Sequence, residues 1–193
     1  MRAPSSSNVT VDQPGRLTFF DGAALAGGLE GVGFGGEGGG VYVETTAYDY
    51  YELIGDYVRE ISYTGGVAAA GGSSINVNNH YWGRGGYVEV YGYDDVTVTS
   101  GAALPGARDA GAEGTGGRGG NARASSSLGD VTAKVTLAAP GGYGAYQGGR
   151  GGSLETYGAG VTHNGAVNVK GGNANTGLEE SYGGTGGYIG IVG

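Results

Sequence analysis

The sequence predicts an all-β, glycine-rich domain built in layers, and three observations carry that expectation. A glycine pentapeptide recurs, a short strand pattern follows each copy, and helix signals are weak along the whole chain. The copies read Gly35-Gly36-Glu37-Gly38-Gly39, Gly116-Gly117-Arg118-Gly119-Gly120, Gly148-Gly149-Arg150-Gly151-Gly152 and Gly183-Gly184-Thr185-Gly186-Gly187. A fifth, Trp82-Gly83-Arg84-Gly85-Gly86, has tryptophan in place of its first glycine. Inside each copy the glycines recur every three residues on two faces, the period of an extended three-fold helix such as polyproline II. Two faces without side chains let backbones approach closely. The third face carries Glu37, Arg84, Arg118, Arg150 or Thr185. The expected fold is a β-solenoid, or a layered β structure of about five two-strand repeats with polyglycine-II-like segments.

Taken in order, residues 1–15 are polar and Ser/Pro-rich, with a short extended piece around Val9 and Val11. They read as an N-terminal arm. Residues 16–193 read as one repeat domain. Each unit has a first strand, a small-residue corner, a Gly-rich stretch, the pentapeptide and a second strand. First strands are expected at 17–20, 59–63, 96–99, 131–137 and 166–169, and second strands at 41–44, 87–90, 121–124, 153–156 and 188–191. These segments alternate apolar with polar residues, the mark of a half-buried β surface. The last glycines of the five copies stand at 39, 86, 120, 152 and 187, giving intervals of 47, 34, 32 and 35 residues. The long interval holds a Tyr-rich insert, 47–58. The best helical candidate, 50–60, is rich in Tyr and interrupted by Gly55.

Composition narrows the class. The chain has 193 residues, 48 of them Gly and 4 Pro, so its order depends on the repeat rather than on a dense apolar core. Its net charge of −8 argues against nucleic acid and anionic membranes as partners. With no cysteine there is no disulfide framework, thiol nucleophile or zinc–thiolate site. No apolar run approaches the roughly 20 residues of a membrane helix. The N-terminus lacks the apolar region of a secretory signal.

Chemistry-bearing positions are few. Stacked pentapeptides align Arg84, Arg118 and Arg150 on one ridge, suited to carboxylate or phosphate groups or to pairing with nearby acids. Tyr81, Trp82 and Tyr87 cluster beside His80 and suit a sugar-stacking or subunit-contact surface. Asp94-Asp95 and Glu179-Glu180 are the only adjacent acids, and both fall in expected turns. They make no convergent glycosidase constellation, so catalytic, cofactor and metal sites are all expected to be absent. His80 and His163 stand apart as loop residues. The pattern 188–193 offers an open strand edge. Tyr188, Ile189 and Ile191, with Val9 and Val11 of the arm, are the expected assembly edge, through strand addition.

The recurring order of strand, glycine corner, glycine pentapeptide and strand resembles two groups. One is the glycine-rich β-solenoid surface proteins of bacteria, of the filamentous-haemagglutinin kind. The other is the glycine-rich adhesins at the tips of tailed-phage fibres. The resemblance covers residues 16–193 and transfers no individual residue. It implies a non-enzymatic role in surface structure or attachment, outside the cell or on a virion. The expected function is a fibre subunit that assembles head to tail. A glycan-binding tip adhesin is the alternative, followed by a β-helix enzyme acting on polysaccharide.

Overall fold

The computed structural model describes residues 8–13, 16–20, 23–24, 38–44, 60–68, 83–92, 94–108, 114–175 and 181–193. Among them there are thirteen strands and no helix. In chain order these are β1 (Asn8–Gln13), β2 (Arg16–Phe20), β3 (Ala23–Ala24), β4 (Gly40–Glu44), β5 (Glu60–Ala68), β6 (Tyr87–Gly92) and β7 (Val96–Ala103). Then come β8 (Asn121–Ser126), β9 (Val131–Ala138), β10 (Ser153–Tyr157), β11 (Val161–His163), β12 (Val167–Asn168) and β13 (Tyr188–Val192). The Tyr-rich insert, with the helical candidate up to residue 59, lies outside the described residues.

The strands form two open sheets. One runs β1-β2-β5-β7-β9-β11, with β3 beside β5 and β12 beside β9; the other runs β4-β6-β8-β10-β13. Every pairing is parallel except β1 with β2. The chain alternates between sheets, so strands pair with the equivalent strands one unit earlier and one unit later. The register holds through every parallel pair. Gly40, Tyr87, Asn121, Ser153 and Tyr188 stand in one column, and Val96, Val131 and Val161 in another. The expected second strands are all present. The uneven steps of 47, 34, 32 and 35 residues leave their pairing in phase, because the surplus is taken up between strands.

Alternation explains how the strands bury. In β9, Val131, Ala133, Val135 and Leu137 are buried, while Thr132, Lys134, Thr136 and Ala138 face out. The inward residues of both sheets meet in one cluster that includes Val88, Val90, Val98, Leu104 and Leu154. β8, with the sequence Asn-Ala-Arg-Ala-Ser-Ser, has poor intrinsic strand preference. Its extended form is imposed by β6 on one side and β10 on the other. Ala122 and Ala124 there leave a void of about 10 Å³ beside Thr156.

The corners differ. From the five-stranded sheet back to the larger one the chain needs only residues 93–95, 127–130 and 158–160. Asp95 holds two of these corners together. Its Oδ1 accepts the amide of Asp130 at 2.8 Å, and the Ser126 hydroxyl donates to the Asp94 carbonyl at 2.6 Å. In the other direction the chain crosses through two glycine-rich rows, one of which is the pentapeptide. Residues 8–13, within the expected extended N-terminal arm, are paired in their own chain, with Val9 opposite Phe19 and Val11 opposite Leu17.

Candidate functional site

The glycine-rich rows build a slab alongside the two sheets. Backbone hydrogen bonds zigzag through it: Ala107 N donates to Gly83 O, Gly117 N to Ala107 O, Gly142 N to Gly117 O, Gly149 N to Gly142 O, Gly172 N to Gly149 O and Gly184 N to Gly172 O, all at 2.7–3.0 Å. Side chains are shut out by the spacing. A Cβ on Gly119 would fall on the Ala139 carbonyl, and one on Gly151 on the Val169 carbonyl. Only glycine lets the rows come this near.

The odd residue of each pentapeptide is thereby aligned. Gly38 N donates to Arg84 O, Gly85 N to Arg118 O, Gly119 N to Arg150 O and Gly151 N to Thr185 O, each at 2.9 Å. Arg84, Arg118 and Arg150 therefore occupy three successive steps of one column, and Thr185 the next. Glu37, the odd residue of the first pentapeptide, lies outside the described residues. Arg84 and Arg150 are exposed and Arg118 is half-buried between them. No carboxylate pairs with any of the three among the described residues. The Arg118 Nε is out of solvent without a hydrogen-bond partner. Burial, and then the like charges of Arg84 and Arg150, hold the Arg118 guanidinium below its ordinary pKa.

A second column, on the outer face of the five-stranded sheet, is charged differently. It runs Tyr42, Glu89, Arg123, Glu155, Gly190. Arg123 Nε stands 4.0 Å from Glu155 Oε2, and its guanidinium lies 5.2 Å from the Tyr91 ring and 5.1 Å from the Tyr157 ring. The Tyr91 hydroxyl donates to Glu89 and that of Tyr157 to Glu155, both at 3.3 Å. No sequence-based expectation covers this arrangement. A signal for it exists: Tyr42, Glu89, Arg123 and Glu155 each stand three residues after the last glycine of a pentapeptide.

The remaining candidates divide. Tyr87 lies with its ring against Gly40, one strand away. Tyr81, Trp82, His80 and the Glu179-Glu180 pair lie outside the described residues. His163 stands at the end of the column of Val98 and Ala133, with its Nε2 unpartnered. Among the described residues no group of three or more His, Asp or Glu is placed to hold a metal ion, and no helix is long and apolar enough to cross a membrane.

Tyr188, Ile189 and Ile191 are brought together on β13, which pairs with β10 on one edge only among the described strands. Ile189 continues the buried column of Val88, Ala122 and Leu154, and Ile191 that of Val90, Ala124 and Thr156. Both isoleucines are exposed. Beside them the last pentapeptide and β12 flank a trough of about 590 Å³, lined by Val167, Asn168, Val169, Lys170, Gly186 and Gly187. Gly183 N, Gly186 N, Gly184 O and Gly187 O have no partner among the described residues. Their counterparts Gly148 N, Gly151 N, Gly149 O and Gly152 O are all bonded.

Comparison with protein-family models gives no match, comparison with curated proteins gives none, and comparison with solved structures gives none. The functional reading rests on this geometry.

Proposed function

We propose that the chain is a non-enzymatic structural subunit of an extracellular or virion fibre, with a solenoid-like winding whose glycine rows take a polyglycine-II-like form. One observation carries the reading. The layer of β13 keeps the glycines and apolar residues of an interior layer, yet none of the described residues lies on it. A Cβ at Gly183 or Gly186 meets nothing within 4 Å, whereas the equivalent glycines at 116, 119, 148 and 151 are each demanded by the backbone of the next row. A bare row of donors, acceptors and glycines is a template for another row of the same kind. Head-to-tail addition sets β13 against the edge of β4 that no described strand occupies, in a second copy, with Ile189 and Ile191 entering a shared core. β1 occupies the place ahead of β2, so it must leave β2 for a second copy to seat fully. Exchange of β1 between copies supplies the role expected of the arm.

Electron microscopy and sedimentation of the purified chain test the reading. Fibres or concentration-dependent oligomers are expected, and Gly186→Leu should keep the fold while abolishing them. A monomer at every concentration would sink the proposal. An attachment role for the same subunit is favoured by one further feature, the arginine column, which has no acid paired with it among the described residues.

A further inference from the structure

We propose that the column Arg84–Arg118–Arg150 is a binding site for a linear polysaccharide bearing spaced carboxylate or sulfate groups. The site does not depend on association between copies, because all three arginines come from one chain.

The geometry sets the spacing. Neighbouring strands of a sheet lie about 4.8 Å apart, so two steps of an in-register column span about 9.6 Å. That is comparable to one disaccharide step of an extended glycan. The three arginines are the side-chain-bearing residues of rows whose flanking glycines pack inward against neighbouring backbone, and Arg84 and Arg150 are exposed. Each guanidinium offers a planar fork of donors matched to an oxyanion. Thr185, one step further along the column, offers a hydroxyl to a neutral sugar.

The charge pattern calls for a ligand. Elsewhere the same chain shows how a column is neutralised, with Arg123 between Glu89 and Glu155 and two tyrosines across its faces. The pentapeptide column has three like charges at successive steps, no acid paired with them among the described residues, and an Arg118 whose charge is disfavoured by burial first and then by both neighbours. A merely solvated surface gains nothing from that repulsion. Oxyanions placed along the column remove it.

The overall charge selects among polyanions. Duplex nucleic acid carries one charge per roughly 1.7 Å of axis and would press many phosphates against a protein of net charge −8. A sparsely charged glycan meets the arginines and leaves the acidic remainder of the surface facing neutral sugar.

Calorimetric titration of the intact protein with polygalacturonate, chondroitin sulfate and uncharged dextran tests the site at low and high salt. At least one of the anionic polymers should bind, uncharged dextran should not, and salt should weaken binding. Arg118→Gln should weaken it roughly tenfold, Arg118→Lys less, and Lys134→Gln, which removes one exposed charge from β9, not at all. Because Arg118→Gln relieves repulsion, its thermal midpoint should hold or rise, which separates lost binding from lost structure. Arg150→Gln, at an exposed position, should give the same weakening. Unchanged affinity in both glutamine variants, equal loss in Lys134→Gln, or no binding of either anionic polymer at low salt would overturn the proposal.

Discussion

Leu154 and Ile189 are paired in register on neighbouring strands and point to the same side, yet Leu154 is 1% exposed and Ile189 is 48%. Thr156 and Ile191 repeat the contrast at 0% and 50%. Gly151 and Gly186 repeat it in the slab, one pressed against the Val169 carbonyl and the other against nothing. The two layers share one pattern; among the described residues, only the inner of them has a neighbour stacked on its far side. Burial here is conferred by the adjoining layer, as expected where each repeat touches only its neighbours. A residue's energetic weight is then set by its position in the stack rather than by its type.

Paired substitutions in the two layers break or sharpen this contrast. The largest difference is expected in the slab. Gly151→Val drives a side chain into backbone and should cost about 3 kcal/mol or more, while Gly186→Val should leave the chemical-denaturation midpoint of the dilute protein unchanged. Similar losses at both sites would mean that the last row is already covered. Next, Leu154→Ala should cost about 2–5 kcal/mol and Ile189→Ala less than about 1 kcal/mol in dilute solution. If copies stack through β13, the Ile189→Ala cost should grow with protein concentration. A smaller effect of opposite sign is expected at Thr156. Its Oγ1 is buried without a partner, and the adjoining void is lined almost wholly by apolar residues. Such a void offers too few polar groups to hold a water. Thr156→Val should therefore stabilise by about 1 kcal/mol, read as a raised thermal midpoint.

The smallest effect concerns alkaline pH. Burial, and then the charge of Glu89, push the Tyr91 phenol above its ordinary 10.0. The folded chain then holds that proton more tightly than the unfolded one. The stability this contributes is whole below about pH 10 and declines as pH rises through the folded value. Tyr91→Phe should flatten that decline when thermal midpoints are compared across alkaline buffers.

Much of the fold can be read from the chain because its glycines keep a count. The pentapeptides mark where the second strands begin, and β4, β6, β8, β10 and β13 each start one residue after the last glycine. The arginine column comes from the same count, since equal offsets in stacked rows become neighbours. Other features are less legible. The extended arm is legible, but nothing in Asn8–Gln13 announces that Arg16–Phe20 will fold back beside it as the lone antiparallel pair among the described strands. The Glu89–Arg123–Glu155 column obeys the same count, three residues after the last glycine of each pentapeptide, but its members differ in type from one copy to the next, so no residue pattern repeats to draw the eye. Asp94-Asp95 reads as an acid pair, whereas Asp95 serves to join one corner to the next through the Asp130 amide.

The long 47-residue interval has a consequence of its own. Its surplus falls between β4 and β5, at the corner that takes only three or four residues in later units, and Gly40 still stands opposite Tyr87. Loop closure penalises length only slowly, each doubling adding about 0.6 kcal/mol. That corner is therefore a natural splice point, where foreign epitopes or tags of varied size can be grafted while every rung below keeps its partner.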